Sequence, residues 1–332
     1  LKAKAATAAN YLIGNIIMAD LTLKTAIQTL GHTKALKDGS VTPHGFAFDF
    51  EEVSPIIQAF RRMVRGSEFD ISEMAITTYL CARANGKKFT ALPIFLVRAF
   101  HHGAIVHNTT LGITNPKDLE GKKVGVNRGY TVTTGVWARG VLQHEHDVDL
   151  SKITWVLSGD EHVAEYQAPG NVVSIEKGKK LEDMLISGEI AAAIGVTVDH
   201  PDVKPLIADA KATGFAALEA SGYYPINHTV VVRDELLEAH PELAAQIFAA
   251  FVEAKQAYVA RLANNEIVEP TAADVLYKRV MDITGEDPLP YGIAPNRAMM
   301  ESVMRFAREQ GIVTTPMTIA SVFAAGTHDL IG

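Results

Sequence analysis

Two adjacent histidines, His101 and His102, follow an apolar run that ends in Arg98. Imidazole titrates near neutral pH, so it can hold a proton and hand it over. Adjacent side chains of an extended segment point to opposite faces, so one of the pair should enter a shared cleft, and His102 is the candidate. The alternative makes one histidine structural and the other exposed. His228 and His32 are further candidates of the same type. Arg98, Arg128 and Arg62 suit a carboxylate, because the guanidinium fork meets it at two points. Arg62 shares a segment with Arg61 and Arg65, which is also the pattern of a solvated helix face. Glu73 carries a condition. An ionised carboxylate beside a bound anion would repel it, so Glu73 in a cleft must be protonated or paired with a cation. It could then deliver a proton itself or orient a histidine; otherwise it caps the helix that follows it.

The stretch from Asp118 to Gly140 organises the other half of this chemistry. Lys123–Val126 is short and β-branched and reads as a buried strand, and Asn127-Arg128-Gly129-Tyr130 reads as a turn. Thr131, Thr133 and Thr134 stand where a helix must begin, and Val136, Trp137, Val141 and Leu142 give that helix an apolar face. A helix start carries free N–H groups and about half a positive charge, which suits a carboxylate or phosphate. The plainer alternative is an ordinary helix cap. Neither a P-loop nor a G-x-G-x-x-G follows the strand.

Composition bounds the rest. A chain of 332 residues with 48% hydrophobic residues suits one large or two medium domains with an ample core. No run of roughly 18 apolar residues suggests a membrane span. A formal charge of −7 with scattered basic residues argues against a nucleic-acid partner. A single cysteine, Cys81, supports neither a disulfide framework nor a thiolate metal site. The run His144-Glu145-His146-Asp147 could bind metal but sits where a helix meets a polar loop, so it reads as surface, and no metal site is expected. Residues 1–19 read as an extension ahead of Met18-Ala19-Asp20 or as the remains of a secretory leader. The first reading predicts a cytoplasmic protein and the second a periplasmic one.

The elements that position these groups alternate strand and helix. Strands are predicted at 21–28, 46–50, 69–71, 90–97, 104–106, 123–126, 153–157, 172–175, 190–195 and 225–232. Helices are predicted at 53–64 and 75–84 and throughout the chain after Arg233. This pattern predicts an α/β fold with mainly parallel sheets flanked by helices. Crossings near 102–108 and 222–229 divide it into two lobes: 20–108 with 225–332, and an inserted lobe at 109–224. Ligands of open α/β sheets bind beyond the carboxyl ends of the strands. Those ends carry His32, Lys34, Ser72, Glu73, Arg98, His101, His102, Arg128, Tyr130 and the threonines, and would line one cleft between the lobes.

Several segments carry a family resemblance in a fixed order. They are F-R-R-M-V-R (60–65), F-D-I-S-E-M-A-I-T-T-Y-L (69–80), A-L-P-I-F-L-V-R-A-F-H-H (91–102), P-K-D-L-E-G-K-K-V-G-V (116–126), V-T-T-G-V-W-A-R-G (132–140), D-E-H-V (160–163), the stretch 224–232 and D-P-L-P-Y-G-I-A-P-N-R (287–297). Together they resemble the 4,5-dihydroxyphthalate decarboxylases over nearly the whole chain after Met18. The resemblance implies a type II periplasmic-binding-protein-like fold and decarboxylation of an aromatic ortho-dicarboxylate to protocatechuate. Such a ring carboxylate, para to a phenol, can leave once its ring carbon is protonated, because the phenolic oxygen stabilises the cation. No cofactor is required in principle. The expected roles are carboxylate binding by Arg98, Arg128 and the Thr131–Thr134 helix start, and ring protonation by His102 or His228 with help from Glu73. The rival expectation is a non-catalytic solute-binding protein of the same fold that seats an organic anion. Homo-oligomerisation is left open.

Overall fold

The apolar runs form two separate sheets in the computed structural model, which describes residues 21–332. The expectation for residues 1–19 therefore lies outside the described residues. In chain order the strands are β1 (Thr22–Ala26), β2 (Ala47–Phe50), β3 (Ile71–Ala75), β4 (Phe89–Arg98), β5 (Ile105–Asn108), β6 (Lys123–Val126), β7 (Thr154–Leu157), β8 (Val172–Ser174), β9 (Ala192–Ile194), β10 (Val203–Pro205) and β11 (Ile226–Arg233). The first sheet has the order β2-β1-β3-β11-β4 and the second β10-β5-β9-β6-β7-β8.

Both sheets are mixed rather than mainly parallel. β1 runs parallel to β2 and β3, whereas β11 runs antiparallel to β3 and β4. In the second sheet β6 is parallel to β7 and β9, whereas β5 is antiparallel to β9 and β10. The reason is the chain path. A strand reached directly from the other sheet enters at the carboxyl end of its new neighbours and needs no crossover helix to pair with them. The short edge strand β10 ends in Pro205, a residue tolerated at edges because it lacks a ladder donor.

The longer helices are α1 (Ile57–Gly66), α2 (Ile76–Ala84), α3 (Thr133–Glu145), α4 (Ala210–Ser221), α5 (Leu243–Ala263), α6 (Ala272–Thr284) and α7 (Arg297–Glu309). α1 and α2 cover one face of the first sheet, and Phe60, Met63, Met74, Tyr79 and Phe95 belong to one apolar cluster there. That cluster continues into the second sheet through Val124, Val136, Trp137 and Trp155. The opposite face of the first sheet packs Ile71, Leu92, Leu96, Val230 and Val232 against Ile247 and Phe251 of α5. The Trp137 indole donates to the carbonyl of Ile226 at 2.9 Å, so α3 is fastened to the strand that returns to the first sheet. Cys81 on α2 is fully buried, and burial pushes its thiol up to about 12.

Irregularities in the β4–β11 ladder position the residues described next. Ile226 pairs with Arg98 and His228 with Val97, so Asn227 is an extra residue that bulges from β11. On the other strand the register skips from Phe95 to Leu92 beside Pro93, which cannot donate to the ladder. Bulges bend a strand and re-aim its side chains.

Candidate active site

Two helix starts, one from each sheet, meet at the junction between the sheets. β3 leads into α2 and β6 leads through the 127–132 turn into α3. Thr77 Oγ1 donates to the Thr131 carbonyl at 2.6 Å, and the Thr77 amide donates to Thr133 Oγ1 at 3.3 Å. All three threonines are buried, so Thr131 and Thr133 stitch the two helix starts together. A helix leaves its first amides without intrahelical acceptors. Those of Thr134 and Gly135 find no acceptor among the described residues. They border a cavity of about 50 Å³, lined also by Val126, Asn127, Arg128, Val132, Ile194 and Gly195. That volume suits a carboxylate group rather than a whole aromatic acid.

Arg128 reaches this cavity from a left-handed backbone position, φ 70°, which bends the turn sharply after β6. Its guanidinium makes no hydrogen bond or ion pair among the described residues, and burial lowers its pKa. A partly buried arginine without a carboxylate is a ready anion partner, because its desolvation has already been met by the fold.

Glu73 and His228 form a second candidate group. Glu73 lies inside β3 rather than at its end, is fully buried, and makes no cap for α2. Its carboxylate accepts from the Gln28 amide at 2.9 Å, from Gln28 Nε2 at 2.7 Å and from His228 Nδ1 at 2.6 Å. Burial works to raise the Glu73 pKa, but the His228 and Gln28 donors outweigh it and hold the group below its ordinary value. The carboxylate is therefore ionised and paired, which leaves it unsuited to deliver a proton itself. With Nδ1 committed to Glu73, His228 meets a ligand through Nε2, and 18% of its side chain is exposed. Its ring stands edge-on to Phe60 at 5.1 Å.

His32, His101, His102 and His162 are buried. His32 packs against Tyr258 and Tyr277, and neither of its ring nitrogens has a partner; burial lowers its pKa to about 4. His101, rather than His102, turns toward β11: its Nε2 lies 3.0 Å from Asn227 Oδ1, and burial lowers it to about 4. His162 carries no signal in the sequence beyond its D-E-H-V segment. It is buried against Phe60 at 6.3 Å, and burial, with Arg61, Arg128 and Arg65 adding to it, lowers its pKa to about 4. Its proximity to Arg128 and Phe60 comes from the β7–β8 loop, which no local pattern reveals.

Several candidates lie elsewhere or are already engaged. His102 is fully buried with Nε2 3.0 Å from Glu145, at the far end of α3. At about 1.5 Å per residue, that end is roughly 18 Å from the helix start, too far to serve it. Arg98 is buried and gives its donors to the Tyr224 carbonyl at 2.9 Å, to the Pro290 carbonyl and to Asn296. It is a strut that ties β4 to the 290–296 segment, not a free carboxylate partner. Arg62 is bound by Glu51 at 2.6 Å and by Glu68 on the outer face of α1. Lys34 is exposed. Ser72 Oγ donates to the Glu73 carbonyl at 2.8 Å. The Tyr130 ring is buried against the Arg139 guanidinium at 3.8 Å, so it builds the second lobe's interior. In the 144–147 run, His144 meets Glu309 at 2.7 Å and Glu145 meets His102.

Comparison with known proteins places the chain. A 4,5-dihydroxyphthalate decarboxylase of Pseudomonas putida is 33% identical over 208 residues, covering 58% of this chain and 80% of the relative. The chain belongs to the 4,5-dihydroxyphthalate decarboxylase family. A second member, from Comamonas testosteroni, is 29% identical over 323 residues, 92% of this chain and 97% of that one. No protein-family model matches. Among solved structures, a Candida albicans protein described as having the generic periplasmic binding protein fold aligns with a TM-score of 0.52 at 14% identity, covering 89% of this chain and 92% of that one. A putative sulfonate-binding protein of Methylobacillus flagellatus aligns at 0.50 and 13% identity, covering 92% of each chain. The fold is thus that of the type II periplasmic binding proteins. The sequence relatives, unlike the fold neighbours, are decarboxylases.

Proposed function

We propose that this protein is a carboxy-lyase that decarboxylates a hydroxylated aromatic dicarboxylate, with 4,5-dihydroxyphthalate going to protocatechuate and carbon dioxide as the leading substrate. The observation that carries the reading is the pair of buried Glu73 with half-buried His228 at 2.6 Å, set in a member of a decarboxylase family. Arg128 and the free amides of Thr134 and Gly135 hold the carboxylate that is retained. The His228 imidazolium, stabilised by Glu73, gives its Nε2 proton to the ring carbon bearing the other carboxylate. The para hydroxyl oxygen spreads the resulting charge. The carbon–carbon bond then breaks, its electron pair restores the aromatic ring, and carbon dioxide leaves. The proton returns to His228 from solvent. Each step uses a residue of this chain, and no cofactor is required in principle.

The test is carbon dioxide release from 4,5-dihydroxyphthalate by the purified protein, with His228→Gln and Glu73→Gln beside it. Loss of a positioned acid typically costs 10²- to 10⁴-fold, so both variants should lose about that much kcat with a far smaller change in KM. Parental turnover in both variants would remove the pair from the mechanism. Binding of the substrate with no carbon dioxide from the parent protein would remove the activity itself.

A further inference from the structure

The turn ahead of α3 already holds a carboxylate, and it belongs to the chain. Glu161, in the loop after β7, accepts from the amides of Tyr130 and Thr131, the latter at 3.2 Å, and from Thr131 Oγ1 at 2.6 Å. No lysine, arginine or histidine pairs with it among the described residues, so backbone and hydroxyl donors alone hold the charge. Gly129 makes room for it: a Cβ there would lie 2.4 to 2.8 Å from the carboxylate atoms. The loop is also gripped from the other lobe. Arg61 binds Asp160 through two nitrogens at 2.8 Å each, and Arg65 binds Asp160 at 2.9 Å and the Glu161 carbonyl at 2.8 Å. The donors of this turn therefore divide into two sets. Glu161 fills one, while Arg128 with Thr134 and Gly135 remains open.

We propose that Glu161 determines specificity and turnover as a resident anion that occupies the second donor set and so leaves only one seat for a substrate carboxylate. This rests on the decarboxylase reading above. A carboxylate that departs as carbon dioxide loses its charge, so donors fixed on it would stabilise the bound substrate more than the transition state and slow the reaction. By filling those donors, Glu161 directs the retained carboxylate to Arg128 and keeps the reacting one unclamped. It acts on the substrate through the donors that it withholds, as a positioning residue.

Glu161→Ala empties the set. Two measurements read the result, and the first needs no turnover. In thermal unfolding with ~0.1 M sodium formate against equimolar sodium chloride, the alanine variant should gain more stability from formate than the parent, because formate fills the open Arg128 seat in both and re-enters the vacated seat only in the variant. In kinetics with 4,5-dihydroxyphthalate, the variant should show KM and kcat both lowered about tenfold with kcat/KM nearly unchanged, the sign of tighter ground-state binding. Glu161→Ser, which is also too short to reach the turn's amides, is run alongside and is read in the same way if the alanine chain does not fold. Glu161→Gln still fills the space and should respond to formate no more than the parent does. Equal formate responses in parent and alanine variant, or KM and kcat both at their parental values, would overturn the proposal. If the parent releases no carbon dioxide, the decarboxylase reading fails while the formate comparison still reports on the seat.

Discussion

Three buried imidazoles, His32, His101 and His162, each have a pKa lowered to about 4 by burial. In the unfolded chain they would take up protons below about 6.5, whereas the folded chain keeps them neutral until about 4. Between those values the unfolded state binds more protons, so stability falls as pH falls, and the loss levels off below about 4. Glu73 adds to the same trend, because its lowered pKa contributes stability that is lost as pH drops through its folded value. Thermal midpoints measured from pH 7 down to pH 4 should decline steadily. His32→Phe should flatten the decline and cost little at pH 7, since neither ring nitrogen of His32 has a partner to lose. A decline as steep as the parent's in that variant would mean His32 is not among the titrating groups. At this scale residue type marks Glu73, His228 and Arg128 as groups able to do chemistry, and the fold pairs Glu73 with His228 and leaves the Arg128 guanidinium without an ion pair among the described residues. Residue type misreads Arg98 and His102, because a side chain already engaged by a carbonyl or a glutamate has the same letter as a free one.

At the scale of elements, the strand–helix alternation was legible because apolar period and glycine punctuation are local. Which strand lies beside which is not local. The antiparallel entry of β5 and β11 and the bulge at Asn227 depend on pairing between residues far apart in the chain, as Ile105 with Ile194 and Ile226 with Arg98 show. The contact of α3 with α7 is another such case. A Cβ on Gly140 would come within 2.3 Å of the Phe306 ring, so this glycine marks the closest approach of the two helices. Gly140→Ala should therefore destabilise the protein by about 1–3 kcal/mol through overpacking, even though alanine is the better helix former. Denaturant unfolding would measure it, and Gly140→Ala with Phe306→Leu should recover part of the loss. A more stable single variant would show that the helices can simply move apart.

At the scale of the molecule, the segments around the two sheets are joined by two unlike kinds of contact. The threonine stitch at Thr77, Thr131 and Thr133 is buried. The ion pairs of Arg61 and Arg65 with Asp160 are surface ones, with 37% and 41% of the arginine side chains and 65% of the aspartate exposed. Exposed pairs contribute little to folding, typically below about 1 kcal/mol, and are screened by salt. Asp160→Asn should thus leave the unfolding midpoint nearly unchanged. It should, however, widen the spread of lobe orientations, seen in small-angle scattering as a larger radius of gyration, and added salt should move the parent in the same direction. An unchanged radius in both would leave the junction to the buried threonines alone. The α/β character of the two sheets and their flanking helices is legible in the order of strands and helices. The contacts that join them are not, because Asp160 and Arg61 are 99 positions apart.

The solitary thiol of Cys81, sealed inside α2 and reluctant to ionise, makes the protein its own stopwatch. A maleimide or disulfide reagent can reach that sulfur only when the surrounding interior comes apart, so its rate of uptake counts openings of the first lobe one at a time. Substrate that draws the lobes together should lengthen the interval between those events. A competitor anion that merely touches the surface should leave it alone.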